Sequence, residues 1–231
     1  MRLTPRDRKL VGKLAAARWL TTKQIAALCF SNVTVEMARR RLRLLREKRY
    51  IFSCRANQMV EALHSLGPKG REFLIGKGWR RPIRLERMPP KNLEHFLGIN
   101  DIRVAVERSA KSDSMELGFF FACWELQQQG WKFPIIPDAL CQIRCKDKPT
   151  TICFEYDRGE EPPEFVAGTK FEGYARGLGS FSISKVIVVV ETGKRLKQLQ
   201  RYAGRQANRE LFSFMLRDDL FSGLGLSKCL C

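Results

Sequence analysis

Apolar positions recur at helical spacing three times within the first 50 residues, and each run carries its own start signal. Over residues 3–17, Leu10, Leu14 and Ala17 share one face, with Thr4 placed as N-cap and Pro5 at the first helical position. Trp19 and Leu20 close this helix, and Thr21-Thr22 cap a short second one bearing Ile25, Leu28 and Cys29. After the turn Ser31-Asn32 the spacing predicts a third helix over 34–48, with Val35, Ala38, Leu42 and Leu45 on its core face. Apolar-rich runs at 50–54 and 60–65 then flank Arg55-Ala56-Asn57-Gln58, which reads as a two-stranded wing, and a short helix follows over 71–77. Helix, helix, helix, strand, wing, strand, helix is the order of a winged helix-turn-helix domain, here over residues 1–79.

The pattern changes after a linker at residues 80–91, marked by Arg80-Arg81-Pro82 and Pro89-Pro90. A long helix is predicted over 92–110 from Phe96, Ile99, Ile102, Val106 and Ala110. Strand candidates follow at 117–126, 139–145 and 151–157, then a helix after Pro162-Pro163 that carries Phe165, Lys170 and Tyr174. The β-branched run 185–191 reads as a buried strand and 194–212 as a last amphipathic helix. This second domain, residues 92–231, therefore has the order α-β-β-β-α-β-α, and the chain as a whole is of the α+β or α/β class.

Charge separates the two halves. The net charge is +18, but residues 1–90 hold 22 Lys+Arg against 6 Asp+Glu, while 91–231 hold 20 against 18. So basic a domain points to a polyanion, and double-stranded DNA is the expected one, since each neutralised phosphate releases counterions. The third helix concentrates that charge: Arg40 and Arg43 lie opposite its core stripe, Arg39 and Arg46 on one flank and Arg41 on the other. Guanidinium forks suit phosphates and guanine edges, so Thr34, Arg39, Arg40, Arg43 and Arg46, with Arg55 of the wing, are the candidate DNA contacts. The eight cysteines contain no C-x-x-C pair and the two histidines form no ligand set with them, so reduced thiols and no zinc are expected. With no signal peptide and no long apolar run, neither export nor membrane insertion is expected, and the compartment is read as cytoplasmic.

Candidate chemistry lies between Pro137 and Gly159. Residues 151–157 alternate, placing Ile152, Phe154 and Tyr156 on one face and Cys153, Glu155 and Asp157 on the other. Lys146 to Thr150 suit a turn, and a hairpin centred between Asp147 and Lys148 sets Asp138 opposite Asp157 and diagonal to Glu155. Opposed side chains then lie about 5 Å apart and diagonal ones about 7–8 Å, so Asp138, Glu155 and Asp157 become candidate ligands of one Mg²⁺ or Mn²⁺ ion.

Pro137-Asp138 on one strand and Glu155 on the next resemble the PD-(D/E)xK nucleases, and α-β-β-β-α-β is the core order of their restriction-endonuclease-like fold. A longer set resembles the replication-relaxation family, which includes the MobC-type plasmid relaxases. It comprises Leu3-Thr4-Pro5-Arg6-Asp7, Arg18 to Thr22, His95, Asn100-Asp101-Ile102-Arg103, Trp124-Glu125, Pro137-Asp138, Glu155 to Gly159, Lys170 and Tyr174. The resemblance implies metal-dependent nicking of one DNA strand at an origin, with Asp138, Glu155 and Asp157 as metal ligands. Asp157 stands where those nucleases carry lysine, so Lys170 becomes the candidate for steadying charge on phosphorus. His95 is open between a capping or packing role and general base or phosphate contact, with Glu94 and Glu107 as possible acidic helpers. Tyr174 reads as core rather than as a nucleophile, and Arg158 as a DNA backbone contact or a partner of Glu160 or Glu161. A second reading stays open: a non-catalytic DNA-binding accessory protein or transcriptional regulator. Beyond origin or operator DNA, other relaxosome or replication proteins and a second copy of the chain are the candidate partners.

Overall fold

A computed structural model describes residues 1–30, 33–55, 61–112, 115–130, 134–145, 148–177 and 183–221. The chain forms two compact units, Met1–Val104 and Ala105–Cys231. Its class is mixed α+β, with helices around a small antiparallel sheet first and a five-stranded mixed sheet second.

In the first unit, α1 (Pro5–Ala17) begins at Thr4, whose hydroxyl accepts the Asp7 N–H while the Asp7 carboxylate accepts the Thr4 N–H. Trp19 and Leu20, read from sequence as the end of that helix, form β1 (Trp19–Thr21) instead. Thr21 caps α2 (Thr22–Cys29), and Thr34 caps α3 (Val35–Glu47). The hairpin strands are β2 (Ile51–Cys54) and β3 (Leu63–Leu66), with β3 in the middle of the order β1-β3-β2, and α4 (Pro68–Gly76) follows. Of the expected wing, Ala56 to Gln58 lie outside the described residues. Leu10, Leu14, Ile25, Ala38, Leu42 and Leu45 meet in one core, but Val35 is 40 % exposed. Val35 stands on the first turn of α3, beyond the reach of that core.

Residues 80–91 carry no helix or strand, yet they are fastened to the first unit. The Glu86 carboxylate pairs with Arg18 and accepts the Trp19 indole N–H at 3.0 Å, and the Glu86 carbonyl accepts the Ser65 hydroxyl at 2.7 Å. The long helix α5 (Leu93–Ser112) buries all five residues of its predicted stripe, and the division between the units falls inside it. On its first half, Asn100 donates to the Ala17 and Trp19 carbonyls, while Gln24 reaches across from α2 to Asp101 at 2.8 Å.

In the second unit the strands run in the order β4 (Glu116–Ala122), β5 (Ala139–Cys145), β6 (Lys148–Asp157), β7 (Lys185–Val190), β8 (Phe212–Leu216). The first three are antiparallel and the last three parallel. Two expectations change here. The strand predicted over 117–126 stops at Ala122, where α6 (Cys123–Gln128) starts as Glu125 accepts the Ala122 N–H. The last helix is shorter than predicted: α9 (Gly193–Ala203) ends near Gly204, and the apolar residues from Phe212 form the parallel edge strand β8 before α10 (Arg217–Phe221). Between β6 and β7 the chain runs through α7 (Pro163–Val166), a π turn (Ala167–Phe171) and α8 (Glu172–Gly177). Leu140, Cys153, Val186, Val188, Phe171, Tyr174 and Leu199 close one side of the sheet in a common core. Among the described residues no helix is long and apolar enough to cross a membrane.

One ion pair in the first unit has a measurable stability signature. Asp7 is fully buried and its carboxylate takes a two-pronged contact from Arg41 of α3. Burial alone would raise the Asp7 pKa, but the hydrogen bonds from Arg41 and Thr4 more than offset it, and the value falls below the ordinary 3.8. A depressed carboxylate contributes fully above its unfolded value and loses that contribution as pH drops through the lowered native one. Arg41→Ala should cost about 3 kcal/mol in urea unfolding at pH 7, because it strands a buried charge. The deficit against wild type should shrink below about pH 4, where Asp7 protonates in the unfolded chain.

Candidate functional site

Strand β6 pairs with β5 over Lys148–Phe154 and with β7 over Ile152–Asp157, and its two acidic residues are buried: Glu155 is 2 % exposed and Asp157 8 %. A carboxylate in such a place needs partners. For Glu155 they come from the π turn and the helix after it. Lys170 Nζ lies 2.5 Å from Glu155 Oε2, and the Tyr174 hydroxyl donates to Oε1. Burial drives the Glu155 pKa up, the Lys170 ammonium pulls it down, and the Asp138 charge pushes it up again; the balance is about 7, against an ordinary 4.5. Burial would lower Lys170, but the charges of Glu155 and Asp138 outweigh it and hold the ammonium above its usual range. Tyr174 is fully buried and raised by burial and by Glu155, which keeps it a neutral donor and leaves its oxygen no path to an external phosphate.

The register of β5 and β6 differs from the sequence expectation by two residues. Ala139 pairs with Phe154 and Cys145 with Lys148, which brings Asp138 level with Glu155 rather than with Asp157. Lys148-Pro149, expected in the turn, belong to β6. Proline fits there because the ladder to β7 begins only at Ile152, so this end of β6 has a partner on one side alone. The turn residues Lys146 and Asp147 lie outside the described residues. Asp138 Oδ2 accepts the Tyr156 N–H at 2.8 Å, which fixes its carboxylate at the head of β5.

Asp157 is engaged elsewhere. Arg195 of α9 grips it with two hydrogen bonds, at 2.7 and 2.8 Å, and also donates to the Glu161 carbonyl at 2.8 Å. The Gly159 N–H adds a third bond to Asp157, at 2.8 Å, from a backbone at φ +80° that glycine adopts freely. Arg195 was not singled out from sequence, although its i, i+4, i+8 spacing with Leu199 and Ala203 placed it on the buried face of α9. Asp138, Glu155 and Lys170 thus come together, while Asp157 is paired with Arg195. Among the described residues no three His, Cys, Asp or Glu side chains converge as a metal-holding group. His95 and the exposed Glu94 stand on the first turn of α5, in the first unit, and Glu107 is buried further along that helix. Arg158 pairs with Glu160 at 2.8 Å.

The first unit carries the basic candidates. Thr34 Oγ1 accepts the Met37 N–H at 3.3 Å, and Arg39, Arg40, Arg43, Arg46 and Arg55 are exposed. Arg39 has only a surface contact with Glu36, at 3.3 Å, of the kind worth little in water. Arg41 is withdrawn from that set by Asp7. His64, also missed from sequence, is buried with Nε2 3.0 Å from the Thr22 hydroxyl and Nδ1 2.8 Å from that of Ser53.

The family model described as Replication-relaxation matches residues 12–183, most of both units. The chain belongs to the replication-relaxation family. No curated protein and no solved structure matches it.

The raised Glu155 pKa gives the cluster a pH signature. A carboxyl that binds its proton more tightly when folded favours the native state at low pH and loses that advantage as pH rises from about 4.5 through about 7. The melting temperature of wild type relative to Glu155→Gln should therefore decline across that window. A constant difference between the two would mean that Glu155 titrates as it does in the unfolded chain.

Proposed function

We propose, with membership of the replication-relaxation family as the premise, that this chain binds origin DNA of a plasmid or other mobile element and nicks one strand. The first unit, read as a winged helix-turn-helix domain, would hold the duplex with the outer face of α3. The second, read as a restriction-endonuclease-like domain, would do the cutting. The observation that carries the reading is the convergence of Asp138, Glu155 and Lys170 at the central strand of the mixed sheet.

Two of the three expected metal ligands fit Mg²⁺ or Mn²⁺, which take one or two protein carboxylates and keep positions for water and phosphate. Asp138 and Glu155 are close enough that the charge of one raises the pKa of the other, a crowding that a cation would relieve. Asp157 fits poorly, since both its oxygens already bond Arg195. When bound, such an ion polarises the scissile phosphate and acidifies the attacking water. The protein's own part is to place charge. Lys170 keeps its ammonium beside Glu155 with 26 % of its side chain exposed, where it can offset charge building on phosphorus. Tyr174 holds the other Glu155 oxygen and so fixes the carboxylate's rotamer. Arg195 ties the end of β6 to α9.

A second reading, a non-catalytic DNA-binding accessory protein or regulator, is favoured by one feature: both Glu155 oxygens are already bonded within the chain. A nicking assay on supercoiled plasmid carrying the native origin, with Mg²⁺ or Mn²⁺, separates the two. Asp138→Ala and Glu155→Ala should each lose cleavage by several orders of magnitude while duplex binding persists. Lys170→Ala should cost about 10²- to 10³-fold, as one stabilising charge is lost. A wild type that never nicks supports the accessory reading, and nicking by Asp138→Ala places the site elsewhere.

Binding by the first unit is tested separately. Arg40→Ala and Arg43→Ala should each weaken duplex binding by about 1–3 kcal/mol if they read bases, and binding should fall steeply with salt. Affinity that ignores salt would remove the electrostatic basis of the reading.

A further inference from the structure

Beside α3 the first unit has a cavity of about 740 Å³, walled by the start of α2, the flank of α3 that carries Arg39, Arg43 and Arg46, and the β2–β3 sheet. Lys23, Arg39, Arg43, Arg46 and Arg55 line it, and among the described residues its lining includes no aromatic ring apart from the His64 imidazole. Five cations without a stacking surface suit the phosphates of a nucleic acid rather than its bases.

The polar lining supplies a neutral donor as well. His64 lies between two hydroxyls, Thr22 at Nε2 and Ser53 at Nδ1. Burial, with the Arg46 charge, holds its pKa down to about 4, so at neutral pH one ring nitrogen carries a hydrogen and the other does not. Whichever tautomer forms, one hydroxyl gives its hydrogen to the bare nitrogen and the other receives one. The receiving hydroxyl keeps its own hydrogen for another acceptor at the cavity wall.

Among the described residues, one acidic side chain shares this space. Glu61 lines the cavity, and its Oε1 accepts the Lys23 N–H at 2.8 Å, in the first turn of α2. A carboxylate on a helix N-terminal amide, in a cavity that arginines also line, takes a position that suits a phosphate oxygen.

We propose that this cavity receives a backbone phosphate of the bound duplex, with Lys23 and the Thr22–His64–Ser53 group among its donors, and that Glu61 holds the place until the phosphate displaces it. The inference rests on the reading of the first unit as DNA-binding and adds residues that the outward face of α3 does not include. It makes two substitutions act in opposite directions. Lys23→Gln removes a phosphate contact, whereas Glu61→Gln removes the competing charge and keeps an acceptor for the Lys23 amide.

The test is fluorescence anisotropy on the full chain with duplex DNA over a salt series. Lys23→Gln should weaken binding alike on all sequences and reduce the magnitude of the salt slope by about one, while Glu61→Gln should tighten binding several-fold. A scan of duplexes carrying single neutral methylphosphonate linkages should find one position that costs wild type affinity and costs Lys23→Gln nothing further. Duplex binding that is indifferent to both substitutions overturns the phosphate seat and leaves the α3 reading standing. A wild type that binds no duplex overturns both. Protection from heat by inorganic phosphate at constant ionic strength, with a featureless linkage scan, assigns the cavity to a free anion and overturns the backbone assignment.

Discussion

A carboxylate placed inside a sheet must find cations in the layers that cover it, and β6 sets that demand twice, at Glu155 and Asp157. Being two residues apart, both project from the same side of the strand. Each is answered by a different connection over that side: Lys170 and Tyr174 from the segment before β7, Arg195 from the helix after it. Between these polar contacts lies the apolar layer of Cys153, Val166, Phe171, Val188 and Leu199. Losing either cation would leave a buried charge uncompensated, a cost of about 3–5 kcal/mol, whereas hydrophobic contact alone would tolerate small shifts of either helix. The ion pairs therefore set where those helices lie, and with them the geometry around Glu155. The π turn that carries Lys170 belongs to the same solution, since one extra residue in a helical turn re-aims the side chains near it.

Charge is handled differently in the first unit. Only Arg41 of the α3 arginines is drawn into a buried pair, and that pair joins α1 to α3 through the residue that also closes the α1 capping box. Asp7 thus serves the helix start and the helix-helix contact with a single carboxylate. Arg40, Arg43 and Arg46 stay exposed. Their mutual repulsion is a cost in the free protein that a polyanion would relieve.

Much of this architecture could be read from the chain. Thr4 and Thr21 announced their helices because capping is a local interaction between residues three apart, and the stripe of α5 was legible for the same reason. What escaped was decided by distant partners. The Phe212–Leu216 stretch lay at and past the end of the helix expected over 194–212 and was read as no element of its own, and pairing with β7 makes it a strand. Lys148-Pro149 looks like a turn, and only the late start of the β7 ladder lets proline stay in β6, which moved Asp138 from Asp157 to Glu155. Asp157 read as a metal ligand from its place beside Glu155 on the polar face of the strand and opposite Asp138 in the expected register, while the arginine that bonds it lies 38 residues away. Lys170 entered only as a substitute for the lysine that Asp157 displaces from the nuclease-like pattern; its contact with Glu155, 15 residues back, carried no local signal.

Access to Glu155 follows from the same contacts. Of its two bonded neighbours Tyr174 is fully buried, while the Lys170 side chain is 26 % exposed, so solvent meets the lysine before it meets the carboxylate it guards. Asp138, at the strand head, is only half-buried, and its charge is felt at Lys170. An anion arriving there is attracted by Lys170 and repelled by Asp138, and the repulsion is weakest when Asp138 is neutralised. A cation meets the opposite balance. Whatever approaches Glu155 therefore meets an ammonium already in place, and the charges of Glu155 and Asp138 together hold it there.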